Sequence, residues 1–188
     1  MGMLRLFIAV ETPADVREAL GQLRDRLAAS GAQVRWEPND KLHCTLLFLG
    51  ETEESALPTI REAVMKPCAG CAPIAVAYRG IGYFPDSRRP RVVWAGMEDP
   101  QGALGRLQQE IASKLATAGY PGDEKPFHPH ITLGRVKSLH GINRLITIAE
   151  SCTFDHPSVT VREIAIIRSE LKSGGSVYTI LHSIPLSA

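Results

Sequence analysis

The pattern His-x-Thr-Leu occurs twice in this chain, at residues 43–46 and again at residues 130–133. The two copies lie 87 residues apart, and the apolar segments around them keep nearly the same spacing, since Leu6 precedes Val92 by 86 residues. A repeat of this length that is doubled rather than tripled predicts two similar lobes that face each other, and not a solenoid. We place the two halves at roughly residues 3–85 and 90–186 of one domain that spans residues 1–188.

Hydrophobic periodicity predicts the order strand, helix, strand, helix, strand in each half. In the first half we predict a helix that begins at Thr12 (N-cap) and Pro13 and stops at Gly31. We predict a second helix at 53–65 that ends before Pro67. The strands of this half are predicted at 5–10, 33–36, 42–49, 74–78 and 81–84. In the second half we predict helices at 100–118 and 142–149, and strands at 91–95, 131–136, 159–168 and 177–181. This alternation places the chain in the α+β or α/β class.

Each motif lies within a predicted strand. Residues i and i+2 of a strand project from the same face, so His43 and Thr45 point together, as do His130 and Thr132. If the two halves pair about a pseudo-twofold axis, two imidazoles and two hydroxyls converge on one point. Cys44 fills the variable position of the first motif, and the same alternation turns it away from that point.

Two imidazoles and two hydroxyls suit the cleavage of a phosphodiester. Two histidines with ordinary pKa values near ~6.5 can hold opposite protonation states at neutral pH, one as base and one as acid. Threonine hydroxyls are neutral donors that fit the non-bridging oxygens of a phosphate. The sequence shows no neighbour that would shift either histidine strongly, so we expect a bell-shaped pH dependence of kcat/KM with both limbs within about two units of 6.5. Such acid–base cleavage needs no metal and no covalent nucleophile.

The chain resembles the RNA 2′,3′-cyclic phosphodiesterases, historically called 2′-5′ RNA ligases, of the two-histidine phosphoesterase superfamily. The resemblance covers almost the whole chain, and its most specific part is the pair of motifs. The segments that carry it are residues 5–10, 42–50, 82–85, 90–96 and 127–135. It implies an α+β fold with two pseudo-symmetric lobes, in which antiparallel-rich sheets line a central cleft and the helices lie outside.

The resemblance also implies an activity and assigns roles. The activity is hydrolysis of an RNA 2′,3′-cyclic phosphate terminus to a 2′-phosphate. By this similarity His43 is the proton donor to the leaving oxygen and His130 is the proton acceptor that activates water, while Thr45 and Thr132 bind the phosphate. The chemistry alone is symmetric, so the distinction between the two histidines rests on the resemblance.

Three further residues are candidates for substrate contact. Strict alternation puts Arg135 on the face opposite His130, and a bulge at Gly134 would bring its guanidinium round to a phosphate. Phe127 and Phe84 lie at predicted loop edges, where an aromatic ring is free to stack on a terminal base.

A metal site at His43, His128 and His130 is the competing interpretation. His128 and His130 share a face only if the strand already starts at residue 128, which Pro129 disfavours, and no carboxylate is evident to complete the ligand set. Cys68 and Cys71 form a lone CxxC between prolines, and we expect two loop cysteines rather than a zinc or redox site. The chain contains none of the common nucleotide-loop, nucleophile-elbow or zinc-helix motifs, so we expect no cofactor.

Composition limits the partners. The formal net charge is +1, which argues against a protein that coats duplex nucleic acid but not against one that binds a single phosphate. No apolar run approaches the ~20 residues that span a bilayer, and no signal peptide is evident, so we expect a cytoplasmic protein without membrane contact. The expected partner is an RNA 3′ end that carries a 2′,3′-cyclic phosphate, bound by a monomer.

Two other functions remain open at this point. One is a related phosphodiesterase that acts on a small cyclic nucleotide or a 2′-5′ oligonucleotide. The other is a non-catalytic protein that binds RNA ends, although such a binder has no need of two titratable groups.

Overall fold

A computed structural model describes residues 2–123, 125–173 and 175–188 of the chain. The helices are α1 (Ala14–Ala28), α2 (Leu57–Cys68), α3 (Ala103–Thr117) and α4 (Ile142–Ser151). The strands are β1 (Met3–Glu11), β2 (Val34–Trp36), β3 (His43–Glu53), β4 (Ile74–Phe84), β5 (Val92–Glu98), β6 (His130–Val136), β7 (Asp155–Val161), β8 (Glu163–Lys172) and β9 (Gly175–Pro185). Within these ranges, no helix is long and apolar enough to cross a membrane.

The strands form two antiparallel sheets. The four-stranded sheet has the order β3-β1-β8-β9, and the five-stranded sheet has the order β2-β6-β5-β4-β7. The predicted α+β class with two antiparallel sheets is confirmed. Each sheet takes strands from both halves of the sequence, because β4 forms a hairpin with β5 across the midpoint of the chain and β8 pairs with β1. The motif strands β3 and β6 therefore lie in different sheets, and they contact each other.

The helices cover the sheets with apolar stripes that the periodicity predicts. In α1 the buried side chains include Val16, Leu20 and Leu27, spaced about one helical turn apart or multiples of it. The buried face of α3 repeats the arrangement with Leu104, Leu107, Ile111 and Leu115. Full burial of each such side chain contributes roughly 1.5–3 kcal/mol to stability. These stripes fix which face of each sheet becomes core and which face remains for the site.

The predicted boundaries of two helices are wrong. Helix α1 begins at Ala14 after Pro13, and no side chain caps it, so Thr12 is not its N-cap. Helix α2 starts at Leu57, after a short 3₁₀ turn, and continues through Pro67 to Cys68. A proline in the last turn removes only one backbone hydrogen bond, so it shortens the helix less than an interior proline does.

Two predicted strand divisions are also wrong. The strands predicted at 74–78 and 81–84 form the single strand β4, which bulges between Tyr78 and Ile81 where Gly80 adopts a φ of 77°. A left-handed residue of this kind favours glycine and accommodates an extra residue in the ladder. Conversely, the predicted strand 159–168 is divided at Arg162 into β7 and β8, which belong to different sheets.

Candidate active site

Both motifs keep the alternation that a strand imposes. His43 and Thr45 are partly buried at the start of β3, and Cys44 between them is fully buried in the core. His130 and Thr132 are likewise partly buried at the start of β6. One face of each motif strand is therefore packed into the core, and the other carries an imidazole and a hydroxyl toward the space between the sheets.

Each motif strand bulges immediately after its threonine. In the pairing of β3 with β1, Leu46 has no partner residue. In the pairing of β6 with β5, Leu133 has no partner residue. The extra residue reverses the alternation, so Arg135 shares the face of His130 and Thr132. The bulge predicted around Gly134 is present, one residue earlier than that glycine.

The two faces converge. The charge of His130 lowers the pKa of His43, and the charge of Arg135 lowers the pKa of both histidines. Coulombic effects of this kind require the groups to lie close together. The space between the His43 and His130 faces forms a cleft that both motifs line.

Both imidazoles are held through a backbone carbonyl two residues upstream. The Nδ1 atom of His130 lies 2.6 Å from the carbonyl oxygen of His128. His43 makes the corresponding backbone hydrogen bond to Lys41. A carbonyl only accepts, so Nδ1 of His130 carries the hydrogen and donates it, which leaves Nε2 of that ring available to a substrate.

Burial disfavours the protonated form of both histidines when no substrate is bound. Burial lowers the pKa of His43 to about 4, against the opposing effect of the Lys41 hydrogen bond. It also lowers the pKa of His130. The sequence alone does not indicate this burial, because residues that pack against His43, such as Tyr178, are distant from it in the sequence.

Aromatic rings flank each histidine. On the His43 side, Phe7 stacks on the imidazole with ring centroids 4.9 Å apart, and Tyr178 meets it edge-on at 5.3 Å. Phe48 completes this side with 48% of its surface exposed. Phe48 lies three residues after Thr45, as Arg135 does after Thr132, and this equivalent position is the sequence signal that could have indicated it. No sequence signal indicates Tyr178, which comes from β9.

The His130 side has a second set of rings. Phe84 meets the His130 ring edge-on at 4.9 Å, so the structure brings this predicted contact residue to the site. His128 lies in the loop before β6, as predicted, and its ring packs against Trp94 at 4.9 Å. Phe127, in contrast, packs against the hydrophobic core and takes no part in the described ring contacts around His130.

Arg135 has an acidic neighbour that the sequence did not indicate. Glu37 Oε1 lies 3.8 Å from Nε of Arg135 and 4.0 Å from the guanidinium of Arg35. The backbone N–H of Glu37 donates to the carbonyl of the bulged Leu133 at 2.8 Å. Glu37 is thereby fixed beside the bulge, where its carboxylate restrains the half-exposed Arg135 side chain.

Cys68 and Cys71 lie on a different part of the fold from the two motifs. Cys68 ends α2 and is buried, while Cys71 follows in the loop, and burial raises the pKa of both thiols. Among the residues that the structure describes, no group of three or more His, Cys, Asp or Glu side chains is arranged to hold a metal ion.

Paired His-x-Thr motifs that two antiparallel sheets bring to one cleft define a two-histidine phosphoesterase. The chain belongs to the 2′-5′ RNA ligase superfamily, whose family model matches residues 12–172. It is 33% identical over 177 residues to a protein of Methanothermobacter thermautotrophicus named RNA 2′,3′-cyclic phosphodiesterase, an alignment that covers 94% of this chain and 95% of that protein. The family and the enzyme class that the sequence predicts are confirmed.

Solved structures show the same fold over the whole chain. A crystal structure of a Thermus thermophilus protein superposes with a TM-score of 0.80 at 33% identity, covering 97% of this chain and 98% of that one. A crystal structure of Escherichia coli LigT complexed with 3′-AMP superposes with a TM-score of 0.78 at 26% identity and covers both chains completely.

Proposed function

We propose that this protein hydrolyses RNA 2′,3′-cyclic phosphate ends to 2′-phosphates by metal-independent acid–base catalysis with His43 and His130. The observation that carries the proposal is the convergence of both motifs, which lie on strands β3 and β6 that belong to different sheets and contact each other. The names of the related proteins support the substrate class. The LigT complex with 3′-AMP supports a site for a phosphorylated ribose.

The phosphate is bound by groups that share the histidine faces. The hydroxyls of Thr45 and Thr132 donate to non-bridging oxygens from opposite sides of the cleft. The Arg135 guanidinium adds charge-assisted hydrogen bonds, which are about twice as strong as neutral ones. Phe84, which meets His130 edge-on, contacts the terminal nucleotide. Contact with Phe127 stays a prediction.

The reaction removes a proton from the attacking water on one side of the phosphorus and delivers a proton to the leaving oxygen on the other side. Nε2 of His130 accepts a proton from water as the water oxygen attacks the phosphorus. The bond between phosphorus and O3′ breaks, and Nε2 of His43 donates a proton to O3′. The products are a 3′-hydroxyl and a 2′-phosphate, and a further proton exchange with solvent restores both rings. Each positioned histidine contributes on the order of 10²–10⁴ to the rate.

Binding of the substrate phosphate favours the protonated form of His43 that this reaction requires. In the unliganded protein the pKa of His43 is about 4, so the ring is neutral at pH 7. A phosphate anion in contact with the ring favours its charged form and raises its pKa. Substrate binding and protonation of His43 are therefore coupled, and the buried site binds the substrate together with a proton.

Digestion of an oligoribonucleotide that ends in a 2′,3′-cyclic phosphate tests the proposal. With a strong chelator present, we expect one product whose phosphate is on the 2′ oxygen. An even mixture of 2′- and 3′-phosphates contradicts a fixed in-line geometry. A clean 3′-phosphate contradicts the assigned roles of His43 and His130, and loss of activity that zinc or manganese restores contradicts metal independence.

A further inference from the structure

A cavity lies next to Tyr178 and Lys41, outside the reacting groups. It has a volume of about 450 Å³, within the range of ligand sites, and its lining includes Lys41, Lys172, Gly175 and Tyr178. Two of these residues connect it to the active site. Tyr178 meets the His43 ring edge-on at 5.3 Å, and the Lys41 backbone makes the hydrogen bond that holds His43.

The cavity concentrates positive charge in a small space. Two lysines and one carboxylate, Asp40, line it, whereas the net charge of the whole protein is only +1. Within the described part of the chain, the ion pairs closer than 4.0 Å that involve lysine are those of Lys66 and Lys125, so neither cavity lysine pairs with a carboxylate.

The fold brings the two lysines together from distant parts of the sequence. Lys41 precedes β3, and Lys172 ends β8 at the hairpin that leads into β9. A methyl group added at Gly175, the first residue of β9, would lie 3.6 Å from the Lys41 ammonium. The Lys41 side chain therefore reaches the hairpin that carries Lys172, and glycine at this position leaves room for an anion between the two.

We propose that this cavity binds the phosphodiester on the 5′ side of the terminal nucleotide. The inference rests on the function proposed above. A cyclic phosphate closes the 2′ and 3′ oxygens of the last ribose, so the rest of the RNA leaves the active site through the 5′ oxygen alone. The nearest further anion of the substrate is the phosphate on that oxygen, and the two lysines beside His43 are the cations that meet it. The site thereby distinguishes an RNA end from a free cyclic nucleotide.

The simplest test of this subsite adds one 5′-phosphate group to a cyclic nucleotide. We compare uridine 2′,3′-cyclic phosphate with the same compound carrying a 5′-phosphate, and measure the ratio of their kcat/KM values at two salt concentrations. For the wild-type protein we expect the 5′-phosphorylated compound to be preferred by about tenfold, as for a charge-assisted contact. Its kcat/KM falls more steeply with salt, by about 0.7 in the logarithmic slope for one neutralised phosphate.

Variants of Lys172 identify the group responsible. Lys172→Glu is expected to abolish the preference and Lys172→Arg to retain it, which also shows that a side chain change at this position leaves the fold intact. Lys114→Glu, a matched charge reversal on the exposed face of α3, is expected to retain the wild-type ratio.

The outcomes separate this proposal from the one on which it rests. Equal kcat/KM values for the two compounds in the wild-type protein, or an unchanged ratio in Lys172→Glu, overturn the phosphate subsite and leave the hydrolytic function standing. Equal effects of Lys172→Glu and Lys114→Glu also overturn it, because they show a general charge effect. Failure of the wild-type protein to hydrolyse both compounds and also an oligoribonucleotide that ends in a 2′,3′-cyclic phosphate overturns the proposed function itself.

Discussion

Phe48 occupies on β3 the position that Arg135 occupies on β6, three residues after the motif threonine and just beyond the bulge. Both side chains share the face of their motif histidine. The cleft is therefore symmetric in its histidines and threonines but asymmetric in the next position, where one side presents an apolar ring and the other a guanidinium. This difference gives a bound phosphodiester one preferred orientation, which a reaction with a single product isomer requires.

Removal of either histidine is expected to reduce kcat/KM at least about 100-fold, since a positioned acid or base contributes at least that much. The double variant His43→Ala/His130→Ala should be little worse than either single variant, because the two groups act as one unit. Steady-state kinetics on a cyclic-phosphate RNA end measures this. His140→Ala, in an exposed loop, should keep full activity. A single variant that retains more than a tenth of the wild-type rate contradicts the pair.

The threonine hydroxyls should matter less than the imidazoles. Thr45→Ala and Thr132→Ala are each expected to cost about 1.5–3 kcal/mol of transition-state binding, the usual value for a lost hydrogen bond to a charged group. Thr45→Ser and Thr132→Ser keep the hydroxyl and should recover most of the activity. If the serine variants are as impaired as the alanine variants, the threonines act through their methyl groups and not as phosphate donors.

Arg135→Ala should lower kcat/KM by a similar amount, because it removes charge-assisted contacts to the phosphate. Arg135→Lys should recover part of the loss, since an ammonium retains the charge but not the paired geometry. Arg144→Ala, at an exposed position of α4, is the matched control for the loss of one arginine. Wild-type kinetics in Arg135→Ala would show that the bulge aims this side chain at solvent only.

The pH dependence of kcat/KM should be a bell with its maximum below pH 6.5. This parameter reports the free protein, in which burial lowers the pKa of both histidines and brings that of His43 to about 4. Above pH 6.5 the fraction of protein with one proton on the pair falls, so kcat/KM should decline about tenfold per pH unit. A plateau that extends to pH 8 would show that another group supplies the proton.

Folding stability should fall as the pH is lowered from about 6.5 to about 4. The pKa of His43 is about 4 in the folded protein and near 6.5 when unfolded, so acid favours the unfolded chain, which binds the proton more readily. The contribution of this residue is on the order of 3 kcal/mol across that interval. Urea unfolding at pH 7 and pH 4.5 measures it. His43→Gln should lose less stability on acidification than the wild-type protein or His140→Ala.

The sequence by itself determined the features that depend on neighbours within a few residues. The alternation of a strand places His43 with Thr45 and His130 with Thr132, and the helical stripe of α3 follows from a spacing of three and four residues. The doubled motif also predicts that the two His–Thr pairs meet, because both motifs can serve one site only if the two halves of the chain pack against each other.

Tertiary structure alone decided the features that depend on what lies across a sheet or a cleft. The bulges at Leu46 and Leu133 are differences in register between two strands, and a single strand does not specify its partner's register. The exchange of strands between the halves depends on which hairpins form. Burial lowers the pKa of His43, and the rings that pack against it come from Phe7 on β1 and Tyr178 on β9, so only the folded chain defines this environment.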